Sequence, residues 1–234
     1  MFRKSRADSV RELFGPLLGE NEVAFMYMGY SGILMRMGTR TVAFDTANLL
    51  RGREVSALQG LDLLIFTHGH GDHFRRGEAL EIFKATKTHI LAEPGVAREL
   101  GGKIPVDKLT SAEPGKTYTI GDIGVTTIRG IHRGPINLYL VKLGELAIFH
   151  GGDSGYVPLK DYRADLAFLP TGSPSPTASP EHASMMASDL KPRVVVAIHG
   201  SAAQNEELRR RIKGEMPGTS VVIPELYTPK RITL

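Results

Sequence analysis

Short apolar runs separated by glycine-bearing turns recur along the chain, and only a few stretches space their apolar residues three or four apart. Residues 23–28, 33–37 and 41–45 are such runs, divided by Gly29-Tyr30-Ser31-Gly32 and by Gly38, which predicts an antiparallel meander. Leu63-Leu64-Ile65-Phe66 is apolar without alternation, the pattern of a strand buried on both faces. Leu80 and Phe83 predict a helix over 77–86, and an extended apolar run returns at 88–92. The second half repeats this logic. Strands are expected at 116–120, 123–128, 138–143 and 145–149, then a strand at 166–169, a helix at 181–190, a strand at 194–198, a helix at 204–213 and a strand at 219–223. Ser179-Pro180-Glu181-His182 has the makings of a helix start, with proline in the first turn. An α/β fold of two mixed sheets with helices on their outer faces, a four-layer αββα sandwich built from two similar halves, accommodates this order.

Composition narrows the chemistry. The 234 residues, with 41% apolar and 23% charged, fit one domain over 1–234, and 26 glycines with 14 prolines argue for many short elements. Cysteine is absent, which excludes a disulfide framework, a thiolate nucleophile and any Cys-ligated metal. A metal would have to be held by nitrogen and oxygen. The basic start Met1-Phe2-Arg3-Lys4 lacks a following apolar core, and nowhere do 18 apolar residues run together, so a cytoplasmic location with no membrane partner is expected. A net charge of +4 tolerates an anionic substrate and falls short of a nucleic-acid binder's basic stripe. The densest cluster, Arg209-Arg210-Arg211 with Lys213, follows Glu206-Glu207 and reads as a solvated helix face. Val10, Leu13, Phe14 and Leu17 give the segment 9–18 a helical stripe, fit for a homo-oligomer contact or for packing on its own domain. The run Pro170-Thr171-Gly172-Ser173-Pro174-Ser175-Pro176-Thr177 is expected as a stiff, exposed loop at the rim of a site.

The candidate site begins where the run 63–66 ends, at Thr67-His68-Gly69-His70-Gly71-Asp72-His73. Mere core filling would require each of these imidazoles to be desolvated and hydrogen-bonded separately. In an extended segment His68 and His70 point to the same side, Asp72 and His73 follow in the turn, and glycines at 69 and 71 let the backbone fold close round the cluster. Four ligands this close crowd a single tetrahedral ion, so two neighbouring ions are expected, each completed from elsewhere. His132, Asp153 and His199 stand at comparable places, just past apolar runs. His150 reads as structural, His182 as a residue at a helix start with the site mouth as its lesser reading, and His89 receives no function.

Together these positions resemble the metallo-β-lactamase fold superfamily, through the H-x-H-x-D-H motif at 68–73, the isolated His132, Gly152-Asp153-Ser154-Gly155 and the late His199. The resemblance implies that His68, His70 and His132 bind one ion, that Asp72, His73 and His199 bind a second, and that Asp153 bridges them. Imidazole and carboxylate suit zinc, manganese or iron without choosing among them, and zinc is the first expectation.

Two such ions imply metal-dependent hydrolysis of an ester, lactone or phosphoester bond in a small substrate, with Asp72 as ligand and catalytic orienter of the attacking water. A phosphodiesterase acting on nucleotides or RNA ends, and a metal-binding scaffold without activity, are the alternatives. The brief loops are similar to the ascorbate-6-phosphate lactonase-like hydrolases. Those carry a histidine in the early turn where this chain reads Gly29-Tyr30-Ser31-Gly32, so Tyr30 and Tyr156 are expected to line the pocket instead. Arg75, Arg76 and Arg133 are the cations placed to receive an anionic group.

Overall fold

The apolar runs become the strands of two sheets in the computed structural model, which describes residues 4–15 and 17–234. Met1, Phe2 and Arg3 of the basic start, and Pro16 within the segment 9–18, lie outside the described residues. Chain contacts divide the molecule into two units, one running to Ala112 and rejoined by Glu225–Thr233, the other Glu113–Pro224 with Leu234.

The first unit holds α1 (Arg6–Phe14), β1 (Glu22–Gly29), β2 (Gly32–Met37), β3 (Arg40–Phe44), α2 (Arg53–Ser56), β4 (Leu63–Phe66), α3 (Arg76–Thr86), β5 (His89–Ala92), α4 (Pro94–Leu100) and β6 (Leu109–Ser111). The second holds β7 (Thr117–Ile120), β8 (Ile123–Arg129), β9 (Asn137–Leu143), β10 (Leu146–His150), β11 (Leu166–Pro170), α5 (Pro180–Leu190), β12 (Val194–Ile198), α6 (Ala202–Glu215) and β13 (Ser220–Val222); β14 (Lys230–Thr233) returns to the first. Each unit carries a seven-stranded sheet, ordered β14-β1-β2-β3-β4-β5-β6 and β13-β12-β11-β10-β9-β8-β7. Both sheets follow one plan. An antiparallel meander, β1 to β3 or β7 to β10, leads into parallel strands, β3 to β6 or β10 to β13.

Period-two alternation decides what each face buries. In the first unit Ala24, Met26, Leu34, Ala43, Leu64, Phe66 and Ile90 share a core with Val10 and Leu13 of α1, Ala79 and Ile82 of α3, and Val96 and Leu100 of α4. In the second, Leu138, Leu140, Phe149, Ala167, Leu169 and Val195 pack with Met186 and Leu190 of α5 and Leu208 and Ile212 of α6. The other faces of these strands are buried too, which explains why β4 and β12 lack polar alternation.

Several expectations are refined. The helix expected within 9–18 ends at Phe14: Val10 and Leu13 enter the core of their own unit, while Leu17 stands 91% exposed beyond it. α6 starts earlier than 204 because Ser201 and Gln204 form a reciprocal capping box. Ser179 caps α5 as its sequence predicts, its hydroxyl accepting from the His182 N–H at 3.1 Å. Unforeseen α4 begins where the Glu93 carboxylate accepts from the N–H groups of Gly95 and Val96. Arg209 pairs with Glu206, and Arg210 and Arg211 both pair with Glu207, which offsets part of the cluster's charge on its own helix. Among the described residues no helix is long and apolar enough to cross a membrane.

One buried acid ties the chain after β3 to α3. Glu78, 6% exposed, accepts from the N–H groups of Asn48 and Leu50, and burial pushes its carboxyl up to about 7, against the opposing pull of those donors and of Arg51. Because the folded protein holds this proton more tightly than the unfolded chain, the associated stability is complete below the unfolded value near 4.5 and is lost as pH rises through about 7. We expect Glu78 to contribute a fall on the order of 3 kcal/mol across that window. Urea unfolding of wild type and Glu78→Gln from pH 4.5 to 8 isolates it: the variant should show the flatter profile, and parallel profiles would refute the assignment.

Candidate metal centre

β4 delivers the first donor set. Its last residue, Phe66, is followed by Thr67, whose N–H donates to Asp45 Oδ1 at 2.9 Å and whose hydroxyl donates to Asp45 Oδ2 at 2.7 Å. Having spent its proton on Asp45, the Thr67 oxygen faces His68 Nδ1 at 3.0 Å as an acceptor, so His68 carries its proton on Nδ1. A turn then closes, with the N–H groups of His73 and Phe74 donating to the His70 carbonyl, and brings His73 Nδ1 to 2.8 Å from Asp45 Oδ2. Asp45, wholly buried, thus anchors two histidines, one directly and one through Thr67. The His68 ring lies 4.5 Å from that of His70 and 4.1 Å from that of His73. His73 Nε2 stands 3.7 Å from Asp72 Oδ2.

The second unit assembles its set from dispersed positions at strand ends. His132 follows β8, Asp153 follows β10 through Gly151 and Gly152, and His199 follows β12. Ser154 stitches the first two together: its hydroxyl oxygen accepts from the Ile131 N–H at 2.8 Å, and the next N–H, of Gly155, donates to the Ile131 carbonyl. His150, buried, accepts from the Gly152 N–H at 3.2 Å and shapes the turn carrying Asp153, a structural role as its sequence position suggests. Thr177 donates to the Asp153 carbonyl at 3.3 Å, which leaves its oxygen to accept from His132 Nδ1 at 3.0 Å. Ser175 donates to the same carbonyl at 2.6 Å. His199 Nδ1 faces the Gly172 carbonyl at 3.3 Å, which can only accept.

Four histidines therefore share one arrangement: Nδ1–H is given to a fixed oxygen, and Nε2 is the nitrogen that presents a lone pair. In the second unit these lone pairs meet a carboxylate. Asp153 Oδ2 stands 3.4 Å from His132 Nε2 and 3.8 Å from His199 Nε2. Those separations exceed a hydrogen bond of about 2.7–3.2 Å. Each separation suits two ligands that share an ion, since bonds of about 2.0–2.2 Å set neighbouring ligand atoms roughly 3.4 Å apart. Two acceptors facing at this distance repel unless a cation lies between them, so the donor set fits a divalent ion. In the first unit His68, His70, Asp72 and His73, and in the second His132, Asp153 and His199, are the histidines and carboxylates placed to ligate a metal.

Asp45, Thr67, Ser175 and Thr177 were not foreseen. For Asp45 a signal existed, because an acid placed straight after an apolar run is also the mark of Asp153; nothing local distinguishes Thr177. The segment 170–177 is in part the expected exposed loop, with Ser173, Pro174 and Pro176 exposed, but Thr171, Gly172 and Ser175 are buried and Thr177 contacts His132. Tyr156 was expected to line the pocket, yet its hydroxyl donates to Asp189 of α5 at 3.0 Å and its ring packs on the core. The glycine pair also divides: a Cβ at Gly69 would make an ordinary 3.7 Å contact with Val96, and only at Gly71 is the space taken. His89 bonds Thr110 on the neighbouring strand at 2.8 Å, a sheet contact. His182 holds the Thr177 carbonyl through Nδ1 at 2.9 Å.

Residues 40–200, which include all seven donors, match the model of the beta-lactamase superfamily domain. A UPF0173 metal-dependent hydrolase of Bacillus velezensis is 30% identical over 200 residues, covering 74% of this chain and 83% of the relative. One from Thermococcus kodakarensis is 27% identical over 229 residues, covering 86% and 97%. Among solved structures, the metallo hydrolase Igni18 of Ignicoccus hospitalis superposes with a TM-score of 0.76 at 21% identity, covering 91% of this chain and 99% of that one. The two mixed sheets with helices of this chain are those of the metallo-β-lactamase α/β fold, and the chain belongs to the metal-dependent hydrolases of the beta-lactamase superfamily.

Proposed function

We propose that the seven donors hold a pair of divalent ions, zinc foremost, and that the chain hydrolyses an ester, lactone or phosphoester bond in a small anionic substrate. His68, His70 and His132 would take one ion, Asp72, His73 and His199 the other, with Asp153 shared. The observation that carries this reading is the common tautomer of His68, His73, His132 and His199, each with Nδ1 given to the scaffold and Nε2 left as donor. Bound there, divalent ions supply Lewis-acid chemistry, lowering the pKa of a water and polarising the scissile bond.

The chain's own groups do the rest. Asp72, part exposed where His73 is buried, has two oxygens, so one can serve as ligand while the other orients the attacking water and passes its proton toward the leaving group. Asp45 and Thr67 keep His73 and His68 from rotating, and Thr177 does so for His132. Burial of His68, His73, Asp153 and His199 keeps bulk water from competing for the donor atoms.

Elemental analysis of protein purified without added metal should find about two transition-metal ions per chain. Hydrolysis of bis(p-nitrophenyl) phosphate and of a lactone panel should vanish on stripping and return on repletion, and the preferred panel member identifies the bond type. A protein that neither retains nor regains metal would remove the basis of this reading. Asp45→Asn should keep the fold by circular dichroism yet lose roughly 10–100-fold in metal affinity, measured against a competing chelator, because the amide holds the His73 ring less firmly. Thr177→Val should weaken binding in the same direction through His132; unchanged affinity in both variants would show that these bonds serve packing alone.

A further inference from the structure

Arg75 stands at the N-cap of α3, where unpaired backbone N–H groups make the helix end positive. A cation is the wrong sign for that position, and Arg75 makes no side-chain capping bond there. Although exposed, its side chain lies back over the ligand loop. A Cβ built on Gly71 would meet Arg75 Nη2 at 2.7 Å, Cζ at 3.0 Å and Nη1 at 3.4 Å, so the guanidinium fills the space a side chain at 71 would occupy. Gly71 lies between His70 and Asp72, two of the proposed ligands, and divalent ions held there would oppose the guanidinium a second time. No ion pair among the described residues compensates it. A free arginine on an exposed helix end can avoid both repulsions by reorienting. Its place beside the loop is explained if an anion completes the arrangement.

We propose that Arg75 is a specificity-determining residue that receives an oxyanion of the substrate, a phosphate or a carboxylate, beside the bond to be cleaved. The planar guanidinium offers paired N–H donors matched to two oxygens of such a group, and lysine cannot reproduce that fork. Gly71 leaves the guanidinium this place, since a Cβ there would push it aside. The proposal rests on the hydrolase reading for what lies next to the oxyanion, whereas the recognition itself is a binding event.

Two measurements separate these layers. Inorganic phosphate is titrated calorimetrically into metal-replete wild type, Arg75→Met, Arg75→Lys and Arg76→Met, with metal content of each checked by elemental analysis. In parallel, kcat/KM is compared for p-nitrophenyl esters bearing a phosphate, a carboxylate or a neutral group at matched positions. Arg75→Met should weaken phosphate binding about tenfold or more and reduce the anionic-to-neutral kcat/KM ratio similarly, with lysine recovering only part. The ester whose ratio falls further names the group that Arg75 reads. Phosphate affinity within twofold of wild type in Arg75→Met, or an equal loss in Arg76→Met, would overturn the proposal. If metal-loaded wild type cleaves none of the esters, the hydrolase reading fails, and the phosphate titration still decides whether Arg75 binds an oxyanion.

Discussion

The Nδ1–H of a buried histidine, given to an oxygen that cannot move, is the interaction on which the site depends. Asp45 provides it to His73 and, through the Thr67 hydroxyl, to His68; Thr177 provides it to His132 and the Gly172 carbonyl to His199. Each bond settles the tautomer and the ring plane, so that Nε2 is the nitrogen presented and its direction is fixed before any ligand arrives. The acceptors are themselves held by the fold. Asp45 follows β3 and binds the residue just past the neighbouring parallel strand, and Thr177 is tied to the backbone of Asp153. The donors thus inherit their precision from strand register.

That precision carries a cost in backbone conformation. Asp45 and His199 both leave their strands with positive φ, 44° and 48°, in the left-handed region that a non-glycine residue enters at roughly 1–2 kcal/mol. The sharp turn swings each side chain out of the strand's alternation, which would otherwise send it to one face of the sheet. Wholly apolar strands such as β4 and β12, buried on both faces, hold these ends against the strain. Continuous burial beneath the site and distortion at its rim are therefore two parts of one design.

The same contrast explains what the sequence disclosed. Strands with unbroken apolar runs, Leu63 to Phe66 or Val194 to Ile198, were legible because burial on both faces leaves no other composition open to them. Donors clustered on one turn, His68 through His73, were legible because their density has no structural reason. Short or late elements were not. α2 has four residues, β6 three, and β14 pairs with β1 across nearly the whole chain, so local periodicity says nothing of it. Thr177 was hidden for a further reason: threonine in a Pro/Ser/Thr loop is ordinary, and its significance lies in two bonds to residues 24 and 45 positions earlier.

The two units reach comparable ends by different sequence economies. The first draws four donors from one loop and steers two of them from a single buried carboxylate; the second gathers three donors from three strand ends and needs Ser154, Ser175 and Thr177 to bind their loops to one another. Lone pairs set against a carboxylate at 3.4 and 3.8 Å are a repulsion the folded chain must carry whenever no cation offsets it. An ion that binds the folded state and not the unfolded one therefore returns free energy to folding as well as to chemistry. Dispersed donors feel this most, because His132, Asp153 and His199 come from the ends of three separate strands.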